Sequence, residues 1–274
     1  MIIKYSVVVS PSLKANQRQV TTTMPESTKM KKPDVKIVIL GDMNVGKTSL
    51  LHRYTERKFK DTISTVGGAF FLKQWGPYNI SIWDTAGREQ FHGLGSMYCR
   101  GAAAVILTYD VTNWQSLAEL EDRFLSLTDT ASTDCIFAIV GNKADLTDPH
   151  AQAATSGGGQ ADAELGGVQT QPLPACPTPP ASPLLNKQVS KEDAMALYGR
   201  VLRYKGLEEK TSPPAEKMCF ETSAKTGYNV DMLFETLFDM VLPSILKKRR
   251  EGENSTVDLE ESRGSKRTKA GCCA

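Results

Sequence analysis

The chain has 274 residues, of which 40% are hydrophobic and 23% are charged, so it is long enough for one globular domain with tails. Its 33 basic and 31 acidic residues give a formal net charge of +2, which excludes a strongly basic nucleic-acid-binding protein and restricts any basic surface to a local patch. The six cysteines show no spacing typical of a zinc site, and no apolar run reaches the about 20 residues of a membrane-spanning helix.

Residues 1–30 are predicted to form a disordered leader. The segment is rich in Ser, Thr, Lys and Gln and shows no sustained hydrophobic period. Its short apolar run is interrupted by Lys4 and Tyr5, which makes it too weak for a secretory signal. We therefore expect the globular domain to occupy residues 31–248 and a hypervariable tail to occupy residues 249–274.

From Lys36 the pattern changes to alternating strand and helix signals. KIVIL is typical of a buried central strand. LKQWGPYNISIWD predicts two strands joined at Gly76 and Pro77, AAAVILTYD and CIFAIVGN predict two further buried strands, and MCFET predicts a short last one. Helices are predicted over residues 114–127 and 191–204. This alternation indicates an α/β fold with a six-stranded, mostly parallel sheet and helices on both faces.

The last predicted helix carries an apolar stripe that we expect to pack on the sheet, because its members recur in pairs four residues apart. They are Leu233, Phe234, Leu237, Phe238, Val241, Leu242, Ile245 and Leu246. Pro243 lies inside this run, and since it lacks a backbone N–H we expect it to kink or end the helix.

Residues 147–187 are predicted to form a disordered insertion in a surface loop. They are dominated by Ala, Gly, Gln, Thr and Pro and include no aromatic residue, so they cannot bury enough surface to offset their ordering entropy. Loop-closure entropy rises slowly with length, so the domain tolerates the insertion. The sequence therefore predicts no second domain there.

The strongest local signal is GDMNVGKT at residues 41–48, which fits a phosphate-binding loop between a strand and a helix. Its glycines let backbone N–H groups curl around phosphate oxygens, and the helix N-terminus adds positive potential. Lys47 is expected to reach the outer phosphates, and the Thr48 hydroxyl to bind Mg²⁺. The residues of this region expected to bind the nucleotide are Gly41, Asn44, Val45, Gly46, Lys47, Thr48 and Ser49.

Asp84 lies in WDTAG, at the end of a predicted strand. A carboxylate at a strand end beside a phosphate loop suits a partner of bound magnesium, so Asp84 is assigned to the metal site. Taken alone, Asp84 is better explained as a strand cap. The phosphate loop reverses that preference.

NKAD, at residues 142–145, follows another buried strand and suits recognition of guanine. Asp145 is expected to accept hydrogen bonds from the N1 and 2-amino groups of guanine, which adenine does not offer in that pattern. Lys143 is expected to lay its stem on the base, and Asn142 to tie the surrounding loops together. The motif therefore predicts a guanine nucleotide as the ligand.

ETSAK, at residues 221–225, follows the last strand and completes the predicted base site. The Ala224 N–H is expected to face the guanine oxygen, Ser223 is expected to brace Asp145, and Lys225 is grouped with them.

The four motifs GDMNVGKT, WDTAG, NKAD and ETSAK, in this order and spacing, resemble those of the Ras superfamily of small GTPases. MYCRGAAA, LTYDVT and the terminal CCA are similar to the Rab branch. The resemblance covers about residues 31–146 and 188–274 and leaves the leader and the insertion without support. It implies the Ras-like fold, Mg²⁺ with GTP or GDP as cofactors, and GTP hydrolysis as the activity.

The resemblance also assigns three residues by position. Phe59 corresponds to the aromatic residue that lies on guanine, and Thr65 to the switch threonine whose hydroxyl meets magnesium only when a γ-phosphate is present. Gly87 corresponds to the glycine whose N–H senses that phosphate. Lys47 and Thr65 thereby also belong to the catalytic set. Loss of the Thr65 and Gly87 contacts on hydrolysis would release both switch loops.

Two residues depart from the family's pattern. Arg88 follows DTAG where most relatives carry glutamine, and a guanidinium group only donates, so it cannot orient the attacking water as an amide does. Met43 fills a phosphate-loop position that is usually small. We therefore predict slow hydrolysis without a partner, with Arg88 as an impaired catalytic position. The alternative is that Arg88 is a solvated charge without consequence.

The chain ends with the adjacent Cys272 and Cys273 before Ala274, and Gly271 rules out an ordinary C-a-a-X box. The cysteine pair resembles the doubly geranylgeranylated Rab ending. Two lipid chains hold a protein firmly on a membrane, whereas one gives marginal attachment. The preceding basic residues would favour an anionic cytoplasmic leaflet. They are Lys247, Lys248, Arg249 and Arg250.

The sequence thus predicts a Rab-type GTP/GDP switch in vesicle and endomembrane trafficking. We expect a monomer, lipid-anchored on the cytoplasmic face of Golgi, endosome or phagosome membranes, with a cytosolic pool. The expected partners are a Rab escort protein, a GDP-dissociation inhibitor, an exchange factor, an activating protein and effectors, and no nucleic acid. The alternative is a membrane scaffold that holds GTP almost permanently with negligible turnover. An adenylate-using P-loop kinase is disfavoured by NKAD and by the lack of a lid pattern.

Overall fold

The computed structural model describes residues 5–8, 33–60, 62, 64–65, 67–87, 92–154 and 183–254. Its strands are β1 Tyr5–Val8, β2 Val35–Leu40, β3 Gly68–Trp75, β4 Tyr78–Thr85, β5 Ala104–Asp110, β6 Ile136–Asn142 and β7 Cys219–Glu221. Its α-helices are α1 Lys47–Glu56, α2 His92–Cys99, α3 Trp114–Glu119, α4 Pro149–Ala153, α5 Lys191–Tyr204, α6 Ala215–Met218 and α7 Val230–Asn254.

The strands form one sheet in the order β1-β3-β4-β2-β5-β6-β7. Neighbouring strands are parallel except for β3 and β4, which form an antiparallel hairpin that pairs Trp75 with Tyr78 across the predicted turn. Gly76 adopts a φ of +54° at this turn, a conformation that glycine reaches without steric cost. The predicted α/β fold with a mostly parallel sheet is therefore confirmed.

One strand lies where the sequence predicted a disordered leader. β1 pairs in parallel with β3, with Tyr5 opposite Phe70 and Val8 opposite Lys73. The consecutive β-branched residues of this segment favour a strand, and β3 offers the sheet edge on which it forms. The prediction of disorder is corrected at these four residues, and the rest of residues 1–30 lies outside the described part of the chain.

The core of the protein is centred on β2, β5 and β6. All seven residues of β5 are buried, as are six of the seven in β6 and five of the six in β2. Continuous apolar runs of this kind are expected for strands covered on both faces. Cys99, Cys135 and Cys219 are free thiols buried in the protein, and burial raises the pKa of Cys99 to about 12. Cys176 lies outside the described residues.

Helix α7 packs the predicted stripe on the sheet, with two differences. Six of the eight residues are buried, but Leu242 is only half-buried and Leu246 is 39% exposed, so the prediction of burial is wrong for Leu246. Pro243 does not end the helix, which continues to Asn254. Buried Val241 and Ile245 on either side of Pro243 hold this part of the helix against the domain.

The helix predicted over residues 114–127 changes its winding along its length. It is α-helical over Trp114–Glu119, becomes a π-helix over Leu120–Phe124 and is followed by a 3₁₀-helix over Ser126–Thr130. The predicted helix over residues 191–204 coincides with α5. Ser190 and Asp193 form a capping box at its start, which fixes where it begins.

The insertion predicted over residues 147–187 is described only at its two ends. Its first part forms α4, which differs from the predicted disorder because Asp148 caps the helix and Pro149 occupies its first turn. At the other end, the Leu185 N–H donates to the Leu146 carbonyl at 2.6 Å. In the described part of the chain, no helix is both long and apolar enough to cross a membrane.

Candidate nucleotide-binding site

A cleft of about 300 Å³ opens where the carboxyl ends of the central parallel strands meet the loops that follow them. This edge of an open α/β sheet is where ligands bind. The predicted site residues that line the cleft are Asn44, Gly46, Lys47, Thr48, Ser49, Phe59, Thr65, Gly87, Asn142, Lys143, Asp145, Ala224 and Lys225. Gly41, Val45, Asp84 and Ser223 lie outside the lining, and the contacts of Val45, Asp84 and Ser223 with lining residues are described below.

Two glycines of the phosphate loop occupy positions where a side chain would not fit. Gly46 has a φ of +95°, and a Cβ there would come within 2.3 Å of Asn142 Nδ2. Gly41 has a φ of +143°, and its Cβ would meet the Thr108 carbonyl oxygen at 2.2 Å. The loop therefore curls tightly against the neighbouring strand β5 and the end of β6, and α1 begins directly after it at Lys47.

Lys47 lies inside the curl of this loop. Its buried Nζ donates to the carbonyls of Gly41 at 2.8 Å and Asp42 at 2.7 Å. Burial lowers the pKa of Lys47 to about 8, against the opposing effects of the Asp84 and Asp42 carboxylates. A polyanion bound at the loop would favour the charged ammonium, because it compensates for the lost hydration.

Three side-chain oxygens meet beside the loop. Thr48 Oγ1 donates to Asp84 Oδ2 at 2.6 Å, Thr65 Oγ1 donates to the same oxygen at 3.1 Å, and the two hydroxyl oxygens are 3.0 Å apart. This places Thr65 of the switch segment, Thr48 of α1 and Asp84 of β4 at one point.

The oxygen cluster fits a hard divalent cation. Asp84 is fully buried, its Oδ1 has no hydrogen-bond partner among the described residues, and burial raises its pKa despite the Thr48 hydrogen bond and the charge of Lys47. A cation would supply the missing partner. Within the described ranges, no group of three or more His, Cys, Asp or Glu residues is arranged to hold a metal ion. A metal here would therefore depend on hydroxyl oxygens and on ligand phosphates, as Mg²⁺ permits.

At the other end of the cleft, Asp145 and Asn142 are held by the loop after β7. Ser223 Oγ donates to Asp145 Oδ1 at 2.6 Å, within a buried environment. Asn142 Nδ2 donates to the Val45 carbonyl at 2.9 Å, and Asn142 Oδ1 accepts from the Ala224 N–H at 3.1 Å. Asn142 thus joins the phosphate loop to the loop after β7. The Ala224 N–H already has an acceptor in the protein, and its role toward a guanine oxygen stays a prediction.

Lys143 forms an ion pair that the sequence did not predict. Its Nζ donates to Asp110 Oδ2 at 2.6 Å, while Asp110 Oδ1 accepts from the Thr112 N–H at 2.9 Å and the Thr112 hydroxyl at 2.7 Å. Asp110 ends β5 beside the end of β6, so the carboxylate and the lysine become neighbours only when the sheet forms. The strand-end carboxylate in LTYDVT was a signal for this contact.

The cleft is also bordered by Phe59, Met43 and Gly87. Phe59 is 49% exposed there, and Met43 is 45% exposed. Gly87 packs against the phosphate loop so closely that a Cβ would lie 2.4 Å from the Met43 backbone nitrogen. Arg88, Cys272 and Cys273 lie outside the described residues.

Comparison with known proteins agrees with this geometry. Residues 36–243 match the model of the Ras family. The chain is similar to Ras-related protein Rab-20 of Homo sapiens, with 65% identity over 245 residues that cover 89% of this chain and 100% of the relative. Rab-20 of Mus musculus is 62% identical over 248 residues, with 89% and 100% covered. Ras-related protein Rab5 of Nicotiana tabacum is 42% identical over 120 residues, with 42% and 60% covered.

These relatives confirm what the motifs predicted. From Met43, Arg88 and the segment at residues 87–102, the sequence is interpreted as resembling the vertebrate Rab numbered twenty, and the identities of 65% and 62% to Rab-20 agree with that interpretation. The family match spans the phosphate loop, the hairpin, the base loops and most of α7. The chain therefore belongs to the Ras family and, within it, to the Rab branch of small GTPases.

Proposed function

We propose that this GTPase is a Rab-type switch that binds GTP or GDP with Mg²⁺, hydrolyses GTP slowly on its own and acts in vesicle and endomembrane trafficking. The observation that carries the proposal is the convergence of Lys47, Thr48, Thr65 and Asp84 at one end of a cleft whose other end holds Asp145. One end suits phosphates with a metal and the other suits a purine.

At the phosphate end, the protein would hold the ligand with fixed charges and dipoles. The N-terminus of α1 and the amides of the curled loop attract phosphate, and Lys47 is already buried beside them. Thr48 and Thr65 would hold Mg²⁺ together with Asp84. When bound, the ion neutralises charge that develops on the phosphate oxygens.

At the base end, Asp145 would choose guanine over adenine. Its carboxylate is nearly fully buried, and one oxygen already accepts from Ser223. A ligand that leaves the second oxygen without a donor carries the desolvation penalty of a buried charged group, whereas guanine offers two donors. Lys143 lines the same part of the cleft and is steadied by Asp110.

Hydrolysis is proposed to be slow because the usual water-orienting amide is replaced by Arg88. The bulk of Met43 supports the same conclusion, since it stands at the cleft beside Gly87 and takes space near the expected γ-phosphate. A partner that brings its own catalytic groups would then set the lifetime of the GTP state.

Attachment to endomembranes is proposed to depend on geranylgeranylation of Cys272 and Cys273, with the basic end of α7 and the tail adding attraction to an anionic leaflet. Similarity to Ras-related protein Rab-20 supports this proposal only through the family, because the resemblance to Rab proteins implies work on endomembranes. An escort protein, a GDP-dissociation inhibitor, an exchange factor, an activating protein and effectors would be its partners. Golgi, endosomes and phagosomes are the proposed locations.

Calorimetry with purified protein and Mg²⁺ tests the nucleotide site. We expect GDP and GTP to bind at least about 1,000-fold more tightly than ADP and ATP, because the wrong base leaves buried polar groups unpaired. Equal affinities for guanine and adenine nucleotides would refute the proposal.

Nucleotide content separates a cycling switch from a permanently loaded scaffold. Protein purified without added nucleotide is denatured, and the released GTP and GDP are quantified by chromatography. A mixture that includes GDP supports the switch. Nearly pure GTP supports the scaffold, which Arg88 and Met43 would also allow.

A further inference from the structure

Arg53 places a buried guanidinium group under the loop that follows β7. It lies on α1, and only 7% of the residue is exposed. Its Nε donates to the Ala224 carbonyl at 2.7 Å, and its Nη2 donates to the Lys225 carbonyl. A third contact runs from Nη1 to the Arg57 carbonyl at 3.3 Å. Arg53 thus binds two consecutive carbonyls of ETSAK from a distance of 171 and 172 residues along the chain.

The geometry of the contact requires arginine. Nε and one Nη donate from the same edge of a planar guanidinium, so they can satisfy two neighbouring carbonyls at once. A lysine ammonium is a compact charge without this fork. Since buried carbonyls without donors are costly, loss of the fork would let the loop move toward other partners.

The carbonyls that Arg53 holds belong to the loop that positions Asp145. The residue before them, Ser223, donates to Asp145, and the Ala224 N–H donates to Asn142. The loop is therefore held on one side by Arg53 and on the other by the two predicted base-site residues. A shift of the Ala224 backbone would change both of those contacts.

Helix α1 also connects the two ends of the cleft. Lys47 begins the helix beside the phosphate loop, and Arg53 lies six residues later, about 9 Å along the axis. One rigid element therefore carries the phosphate-binding lysine and the residue that holds the base loop.

We propose that Arg53 is a positioning residue for guanine recognition. By holding the Ala224 and Lys225 carbonyls, it keeps Ser223 against Asp145 and slows release of the bound guanine nucleotide. This inference rests on the proposed base site at Asp145.

The test compares the dissociation constants and release rates of GDP and IDP for the wild type and Arg53→Ala. The base of IDP lacks the 2-amino group of guanine. The ratio of the dissociation constants for IDP and GDP therefore reports the contact between that amino group and Asp145. We expect GDP release to accelerate about tenfold or more in the variant, and the preference for GDP over IDP to fall, because a charge-assisted hydrogen-bond pair is lost. Arg53→Lys should be intermediate, since it keeps the charge but not the fork.

Arg57→Ala is the matched control. Arg57 lies just after α1, its side chain is 59% exposed, and it pairs with Asp231 rather than with the base loop. The Arg57→Ala variant should have the same preference for GDP over IDP and the same rate of GDP release as the wild type. The melting temperature of each variant is measured alongside.

Equal losses of GDP and IDP affinity in Arg53→Ala, with an unchanged preference, would overturn the inference, because they indicate a role in stability alone. If the alanine variant does not fold, an unchanged preference in Arg53→Lys overturns it equally. A wild type without preference for GDP over ADP would instead refute the proposed function itself.

Discussion

At the scale of single residues, the proposed site depends on side chains that other parts of the protein hold in place. Lys47 is held by two carbonyls, Asp145 by one hydroxyl and Lys143 by Asp110. Side chains that are held in place by such contacts need little reorganisation when phosphate charge develops. The effect of a substitution on nucleotide binding should therefore depend on which of these contacts it removes.

Replacing Gly46 with alanine should weaken GDP binding about tenfold or more. The new Cβ would lie 2.3 Å from Asn142 Nδ2, so Asn142 must move and release its contact with the phosphate loop. Gly101→Ala is the control, because Gly101 also has a positive φ of +68° but no atom lies within 4 Å of its Cβ position. Calorimetry on both variants separates the clash from backbone strain. Equal affinities would contradict the assignment of Asn142.

Arg88→Gln should raise the single-turnover rate of GTP hydrolysis by about tenfold or more. An amide both donates to and accepts from the attacking water, and such positioning contributes strongly to rate. The rate is measured on GTP-loaded protein without any partner. Arg203→Gln, an exposed change on α5, serves as control. A rate for Arg88→Gln equal to the wild type would support the view that Arg88 is only a solvated charge.

At the scale of elements, the sheet and the helices hold the residues of the proposed site in position, and the packing between them stabilises the fold. The central strands are buried on both faces, and α7 covers the sheet with an almost complete apolar stripe. Burial of each large apolar side chain contributes about 1.5–3 kcal/mol. The stripe loses its contact with the core toward its end, where Leu246 is exposed.

Leu237→Ala should lower the free energy of unfolding by about 2–5 kcal/mol, because it leaves a cavity under α7. Leu246→Ala, the same change on the same helix at an exposed position, should alter it by less than about 1 kcal/mol. Urea unfolding of both variants with saturating GDP gives the two values. A similar loss in both would show that the end of α7 is packed more tightly than the structure indicates.

At the scale of the whole molecule, the sheet edge that carries the site and the C-terminal tail serve different tasks. The proposed nucleotide cleft is built from distant segments, whereas the proposed anchor needs only a short cysteine pair. Under the proposed function, the domain would report its nucleotide state wherever the tail holds it.

Changing both Cys272 and Cys273 to serine should move the protein from the membrane fraction to the cytosol, because both lipid attachment sites are lost. Cys176→Ser, in the insertion, should leave the distribution unchanged. Fractionation and imaging of tagged proteins measure the effect. Retention of the double variant on membranes would show that the lipids are not the anchor.

By itself, the sequence determined the family, the fold class and the bounds of most strands, because those depend on local patterns. Apolar runs of strand length, an N-terminal phosphate loop and the spacing of NKAD and ETSAK all lie within short segments. The capping box of α5 and the turn at Gly76 are equally local. The Asp148 cap and Pro149 at the start of α4 are local signals too, and they favour a helix within the segment predicted as disordered.

Only the tertiary structure decided which distant groups meet. The pairing of β1 with β3, the ion pair between Asp110 and Lys143 and the contacts of Arg53 with Ala224 and Lys225 join segments far apart in sequence. The exposure of Leu246 likewise depends on where the sheet ends beneath α7. The hydrophobic period of a segment indicates which face of a helix or strand is apolar. The distance between two side chains is set by how whole elements pack.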